Sequence, residues 1–373
     1  MRMKVLVTGG HLSPASAVID ELLGRGHEVV YVGPAFETQE ALESSDEYPA
    51  MQSRRVIYES LQTGKLHRYS WTAAAGSLLR LPIGVWQAMQ IVERHRPAVI
   101  FSVGSYLGPP IVLAGRLKGI PSVIHEQTHF AGLGNKLSAN LCDVVAVSFE
   151  DSKGYFPADK VVYTGNPVRL ASLEVREQLE GMENFERKLP TLYITGGHLG
   201  MLTINMLIVE LLPELLAKYN LIHSIGTHPD QAAVKDLFDD RLAGLEPGLE
   251  NHYIGADYFG PAVIGSIFDR ADVVISRSGA NICTELAHWK KPSLLIPLIS
   301  GQKQEQQLNA ELLSEAGLAR VLEQKGMTAE FFAEEVDEIV ANHGQLTISD
   351  DDLERLYPLN AAERLADILE RYG

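Results

Sequence analysis

Two rhythms of apolar residues alternate along this chain. Short unbroken apolar runs occur at Lys4 to Thr8, Glu28 to Val32, Pro97 to Val103, Pro121 to His125 and Asp143 to Val147. Such runs read as strands buried on both faces, as in a parallel sheet. Between the first two, Val18, Ile19, Leu22 and Leu23 follow the helical period. Pro14 is placed for that helix's first turn, and Gly24 and Gly26 close it. Ile111 to Leu117 predicts a second helix, and Lys160 to Tyr163 a further short extended segment. Ala35 to Ser60 is polar and reads as irregular, while Tyr69 to Val92 is rich in apolar residues but interrupted at Pro82.

The same alternation starts again further on. Leu192 to Ile194, Leu221 to Ile225, Val273 to Ile275 and Ser293 to Pro297 read as strands. Asn205 to Tyr219, Asn281 to His288, Gln306 to Glu315, Met327 to Ala341 and Asn360 to Tyr372 read as helices, with Gly317 a C-terminal stop for the third. Thr8-Gly9-Gly10-His11-Leu12 recurs residue for residue as Thr195-Gly196-Gly197-His198-Leu199, each time behind a strand and ahead of a helix. The pattern predicts an α/β protein of two Rossmann-like doubly wound domains facing across a cleft. The expected boundaries are 1–166 and 167–359, with helix 360–373 crossing back to brace the first domain and polar Glu174 to Lys188 as connecting chain.

Composition narrows the function. A length of 373 residues suits two cores rather than one. The net charge of −16 is uneven, near +1 for 1–169 and −17 for the remainder, which argues against nucleic acid as a partner. Cys142 and Cys283 lie in apolar surroundings and read as reduced core residues of a cytoplasmic protein, with no metal cluster. The chain enters a strand at Lys4 without a signal peptide, and no apolar run reaches the ~18 to 20 residues of a spanning helix.

Three stretches carry candidate chemistry. In Ala271 to Ala310, Arg277-Ser278-Gly279-Ala280 turns a strand into a helix, where backbone N–H groups and the helix dipole favour an anion. Glu285 follows Ser278 by seven residues, roughly 10 Å along the helix axis, a span suited to a nucleotide's phosphate and sugar. An ordinary βαβ crossover with a solvent-facing glutamate fits that segment as well. The strand at Pro121 delivers His125-Glu126-Gln127-Thr128-His129 to its carboxyl end, ahead of the glycine-rich Ala131 to Lys136, more polarity than packing requires. The first glycine turn lacks GxGxxG, and its second strand ends Val32-Gly33-Pro34 without an acidic residue, which disfavours NAD. Around Arg80, the residues Leu78, Leu79, Leu81, Ile83, Val85 and Trp86 read first as core. The other reading is a patch dipping into a bilayer interface, with Arg68 and Arg80 at the head groups.

Seven motifs then stand in one order: TGGH with Pro14, GSYLGPP, HEQ with AGLGNK, TGNPVR, GGxxG at Gly196 to Gly200, ADVVISRSGA with Glu285, and EQQLNA. Together they resemble the bacterial peptidoglycan N-acetylglucosaminyltransferase family, over nearly the whole chain. The resemblance implies a GT-B fold and an inverting transfer of N-acetylglucosamine from UDP-GlcNAc to a polyprenyl-diphosphate-linked muramoyl peptide. It implies no cofactor or metal, and a cytoplasmic enzyme peripheral on the inner face of the cell membrane. It implies donor contacts from Arg169, His198, Ser278, Gly279, Ala280, Glu285, Gln306 and Gln307. Acceptor-side contacts would come from Gly9, Gly10, Gly104, Ser105, Tyr106, Gln127, Thr128 and Asn135. His11 and Glu126 would be catalytic, His11 as the general base. Membrane contact would use Leu78, Leu79, Leu81, Ile83 and Trp86 with Arg68 and Arg80. The chain departs from the family at three points. Its first loop is shorter than GGTGGH, His198 replaces a usual serine, and Thr128 replaces the asparagine after HEQ. A UDP-GlcNAc 2-epimerase, another UDP-sugar enzyme of this fold, and a catalytically silent homologue are the competing readings.

Overall fold

The computed structural model describes residues 2–36, 45, 47–63, 71–169, 172–298 and 304–373, with backbone alone over 71–81. The chain forms two compact units, 1–169 with 358–373, and 170–357.

The first unit is built on a parallel sheet of order β3-β2-β1-β4-β5-β6-β7. Its strands are β1 (Lys4–Thr8), β2 (Glu28–Pro34), β3 (Ile57–Leu61), β4 (Val99–Ser102), β5 (Ser122–Glu126), β6 (Val144–Val147) and β7 (Val161–Tyr163). Successive side chains of a strand point to opposite faces, so an apolar run is buried twice. Val5 and Val7 accordingly join a core with Val18, Ile19 and Leu22 of helix Leu12–Gly24. Leu6 points the other way, among Ala88, Ile91 and Val92 of helix Trp71–His95 and Ile111 and Ala114 of helix Gly108–Lys118. The last helix, Ala361–Glu370, lays Leu365, Ala366, Ile368 and Leu369 on the first of these cores.

Three expectations fail in this unit. Ala35 to Ser60 is not wholly irregular: it contains helix Glu47–Ser53 and the edge strand β3. Along Ile57 to Leu61 only Leu61 is fully buried and the other positions are exposed or half-buried, so no apolar run announces the strand. Nor does Pro82 interrupt its helix, which continues from Trp71 to His95. An interior proline costs about 3 kcal/mol through its missing N–H and its ring. Here Pro82 and Ile83 are exposed, while Ala88, Ile91 and Val92 anchor the following turns. The core reading also fails for the two residues of the apolar cluster whose side chains best test it, since Ile83 is 50% and Trp86 60% exposed. The side chains of Leu78, Leu79, Arg80 and Leu81, and Arg68 altogether, lie outside the described residues.

The second unit repeats the plan with a parallel sheet of order β10-β9-β8-β11-β12-β13. Its strands are β8 (Thr191–Thr195), β9 (Asn220–Ser224), β10 (Tyr253–Ala256), β11 (Val273–Ser276), β12 (Ser293–Leu295) and β13 (Ala319–Val321). Leu192 and Ile194 pack with Ile204, Ile208 and Leu212 of helix Leu202–Lys218, while Tyr193 faces Phe268 and Leu286. The polar segment before β8 packs on this unit: Phe185 is buried, and Leu179 N donates to Ser266 Oγ at 3.1 Å. Among the described residues, no helix is long and apolar enough to cross a membrane.

Candidate functional site

In each sheet the strand order reverses direction beside the strand that carries the repeated TGGHL. In the first unit that point is β1 with β4, and in the second it is β8 with β11. Open parallel sheets bind ligands outside the carboxyl ends of strands at this switch. The repeat therefore marks one candidate half-site per unit.

In the first unit three loops converge there. Thr8 Oγ1 donates to Ser102 Oγ at 3.0 Å, tying the end of β1 to the end of β4. Ser105 has φ +60°, a left-handed conformation that costs a non-glycine residue of order 1 kcal/mol. Its hydroxyl holds it there, donating to Gly9 O at 3.2 Å and accepting from Leu107 N at 3.2 Å. Glycine is required on both sides. A β-carbon at Gly10 would lie 2.2 Å from Ser105 Oγ, and one at Gly134 2.1 Å from Ser105 O. Tyr106 is half-buried against the same core as Ala88.

Glu126, the last residue of β5, is the hub of the third loop. Its Oε1 accepts from Thr128 N at 3.2 Å and lies 2.9 Å from Thr128 Oγ1. Its Oε2 accepts from Gly132 N at 2.8 Å and from Asn135 Nδ2 at 3.0 Å. Asn135 also donates to His125 O at 2.9 Å. A buried carboxylate with this many donors has its lone pairs committed to the loop. The family resemblance implies a catalytic role for Glu126, and in the structure its carboxylate also braces this loop. Thr128 serves the same end, with Oγ1 also 2.6 Å from Phe130 O. Behind it His125 is fully buried, with Nε2 3.1 Å from Ser148 Oγ and 3.4 Å from Gly165 O. Burial pushes its imidazole down to about 4. His11 is exposed at the mouth of these loops, and the Gln127 amide reaches its Nδ1 at 2.6 Å.

In the second unit Gly200, at φ +85°, packs against the next loop so closely that a β-carbon would sit 2.1 Å from Ile225 O. His198 O accepts from both Thr227 N and Thr227 Oγ1 at 2.9 Å. The exposed His198 ring stands edge-on to Tyr258, 5.3 Å away. After β11, Ser278 is fully buried; its Oγ donates to Gln306 O at 2.7 Å and its own carbonyl accepts from Asn309 Nδ2 at 2.8 Å. The Ser278 side chain is thus engaged inside the protein. Gly279 caps helix Ala280–His288 without a side chain, and Glu285 is half-buried on that helix. Arg277 is largely buried, which pushes its guanidinium down, and donates to Ile296 O at 2.9 Å. Gln306 Oε1 accepts from Leu298 N at 2.8 Å, and Gln307 Nε2 donates to Glu311 Oε1 at 2.8 Å. Arg169 is half-buried at the end of the first unit. Sequence reasoning missed Asn309, whose only signal was its place in EQQLNA, and Glu47, which had none.

Two parallel-sheet domains with glycine loops at both switch points define a GT-B glycosyltransferase architecture. Residues 6–147 match the glycosyltransferase family 28 N-terminal domain, and residues 191–370 its C-terminal domain. A UDP-N-acetylglucosamine–N-acetylmuramyl-(pentapeptide) pyrophosphoryl-undecaprenol N-acetylglucosamine transferase of Clostridium novyi is 31% identical over 346 residues, covering 91% of this chain and 90% of the relative. The crystal structure of MurG from Acinetobacter baumannii superposes over 100% of both chains with TM-score 0.69 and 23% identity. A UDP-GlcNAc 2-epimerase from Neisseria meningitidis shares the fold over 99% of this chain and 100% of its own, with TM-score 0.65 and 16% identity. The chain belongs to glycosyltransferase family 28, in the branch of the N-acetylglucosamine transferases.

Proposed function

We infer that this chain transfers N-acetylglucosamine from UDP-N-acetylglucosamine to a muramoyl peptide carried on a polyprenyl diphosphate. The observation that carries this reading is the nearly full-length relationship to a transferase of that specificity. The epimerase likeness extends to the fold alone.

The reaction uses both units, one to supply the sugar and the other the hydroxyl. In our reading the UDP diphosphate lies at the backbone of Gly279 and Ala280, where the dipole of helix Ala280–His288 favours negative charge. Glu285 accepts the ribose hydroxyls, while Gln306 and Gln307 meet the sugar and Arg169 and His198 the donor's flank. His11 removes the proton from the acceptor hydroxyl as that oxygen attacks the anomeric carbon. The carbon–oxygen bond to UDP breaks, and its electron pair leaves with the β-phosphate. The helix terminus then meets more charge in the transition state than in the ground state, which is the condition for it to accelerate the step. Displacement on the face opposite the leaving group inverts the centre. Gln127 orients the base, Glu126 holds the loop that presents Gln127, Thr128 and Asn135, and Gly9, Gly10, Gly104, Ser105 and Tyr106 line the acceptor side.

We further propose that the exposed pair Ile83 and Trp86 touches the bilayer at the inner face of the cell membrane, where such an acceptor would be presented. Vesicles of anionic lipid that retain the protein at low salt, and release it on Trp86→Ala, test that contact. The transfer itself is tested by UDP release from UDP-GlcNAc with and without a short-chain prenyl-diphosphate muramoyl peptide. Release that depends on the acceptor supports the reading, and release indifferent to it removes it.

A further inference from the structure

The shortened first glycine loop already holds an anion supplied by the chain itself. Gly10 N donates to Glu47 Oε1 at 3.1 Å. Glu47 opens helix Glu47–Ser53, 37 residues along the chain from the loop it meets. The contact is close on both sides. A β-carbon at Gly9 would lie 2.4 Å from the Tyr31 hydroxyl and 2.7 Å from Glu47 Oε2. The Tyr31 and Tyr58 rings lie 5.7 Å apart beside it, and Tyr48 stands edge-on to Tyr58 at 5.3 Å. The hydroxyls of Tyr31, Tyr58 and Tyr106 are all pushed up, by burial first and by the Glu47 charge second. The Glu47 carboxylate is therefore seated in a tyrosine-lined wall against the glycine turn.

A backbone N–H of a glycine turn at a switch point is an anion-binding group, and a carboxylate oxygen and a phosphate oxygen are interchangeable acceptors for it. This loop is shorter than the GGTGGH pattern, so each N–H is a larger share of what it can offer. We propose that Glu47 is an internal ligand of this loop, competing with the diphosphate of the acceptor for the Gly10 N–H and so setting how tightly the acceptor binds. The proposal rests on the acceptor reading above.

The test compares Glu47→Gln with Glu47→Ala. The glutamine keeps an oxygen for Gly10 N and loses only the charge, so the loop keeps its brace. If Glu47 competes with the acceptor, Glu47→Gln lowers the KM for a short-chain prenyl-diphosphate acceptor about threefold or more, with the KM for UDP-GlcNAc unmoved. Inorganic pyrophosphate, titrated calorimetrically with UDP present to fill the donor half, binds the variant more tightly by a similar factor. An acceptor KM that is unchanged or higher in Glu47→Gln overturns the proposal, and a rise confined to Glu47→Ala makes Glu47 a brace only. Should the wild-type chain transfer nothing to this acceptor, the functional reading fails. The pyrophosphate titration still decides the role of Glu47 in that case: equal affinity in both chains overturns it.

Discussion

The amide of Gln127 lies 2.6 Å from Nδ1 of His11, joining the loop after β5 to the loop after β1. With the amide NH2 facing Nδ1, the ring proton sits on Nε2, and that nitrogen is a donor. Turned over, the same amide offers its oxygen to an Nδ1 proton and leaves Nε2 able to accept one. The structure has the amide nitrogen facing Nδ1, so His11 accepts a proton at Nε2 only once that amide is turned over.

His11→Ala is expected to lower kcat by about a hundred- to ten-thousandfold while UDP binding by calorimetry stays within about twofold. Gln127→Ala, which removes the amide beside Nδ1 and keeps the ring, should cost about tenfold in kcat. Rates within twofold of wild type for His11→Ala would take it out of the reaction.

Glu126→Ala leaves the N–H groups of Thr128 and Gly132 and the amide of Asn135 without their acceptor in a buried loop. Such losses cost of order 2 to 4 kcal/mol in total. Thermal unfolding should report that drop, together with a raised acceptor KM. Had Glu126 been an acid or base instead, Glu126→Gln would lose kcat with its melting temperature preserved.

Asn309 touches no expected ligand, yet it holds the Ser278 carbonyl from helix Gln304–Glu315. Asn309→Ala should therefore let the turn before Gly279 relax. We expect the thermal stabilisation conferred by UDP-GlcNAc to fall by at least half, since that stabilisation tracks affinity at fixed ligand concentration. An unchanged ligand shift would separate Asn309 from the donor half.

The strands that open the two units were legible because the interiors of β1 and β8 are buried on both faces, which favours the apolar runs Val5 to Val7 and Leu192 to Ile194. The recurrence of TGGHL was legible for the same reason, since both copies cap the strand beside the switch. The helix at Glu47 and the edge strand Ile57–Leu61 were not, because neither needs a buried run. Nor could the sequence separate side chains that face a ligand from those that hold a loop. Ser278 and Glu126 carry the residue types expected of contact groups, and only their partners in space show that both are turned inward.

Two fully buried histidines set an acid limit on stability. Burial holds His125 at about 4 and His223 at about 3, against about 6.5 for an unfolded imidazole. Both are neutral when folded, so their contribution is complete above pH ~6.5 and is lost as pH falls from there toward about 4 for His125 and about 3 for His223. Each then costs about 1.4 kcal/mol per pH unit. Calorimetry at pH 5 should show proton uptake on unfolding that drops by about one proton in His223→Gln. An unchanged uptake would mean that His223 is already charged in the folded protein.

Proton NMR of the sugar products separates transfer from epimerisation in one experiment. The chain is incubated with UDP-GlcNAc in two tubes, one holding a short-chain prenyl-diphosphate muramoyl peptide. The account predicts a β-linked N-acetylglucosaminyl product with equal UDP release in that tube, and intact UDP-GlcNAc in the other. UDP-ManNAc in the tube without acceptor, or an α-linked product in the tube with it, would contradict it.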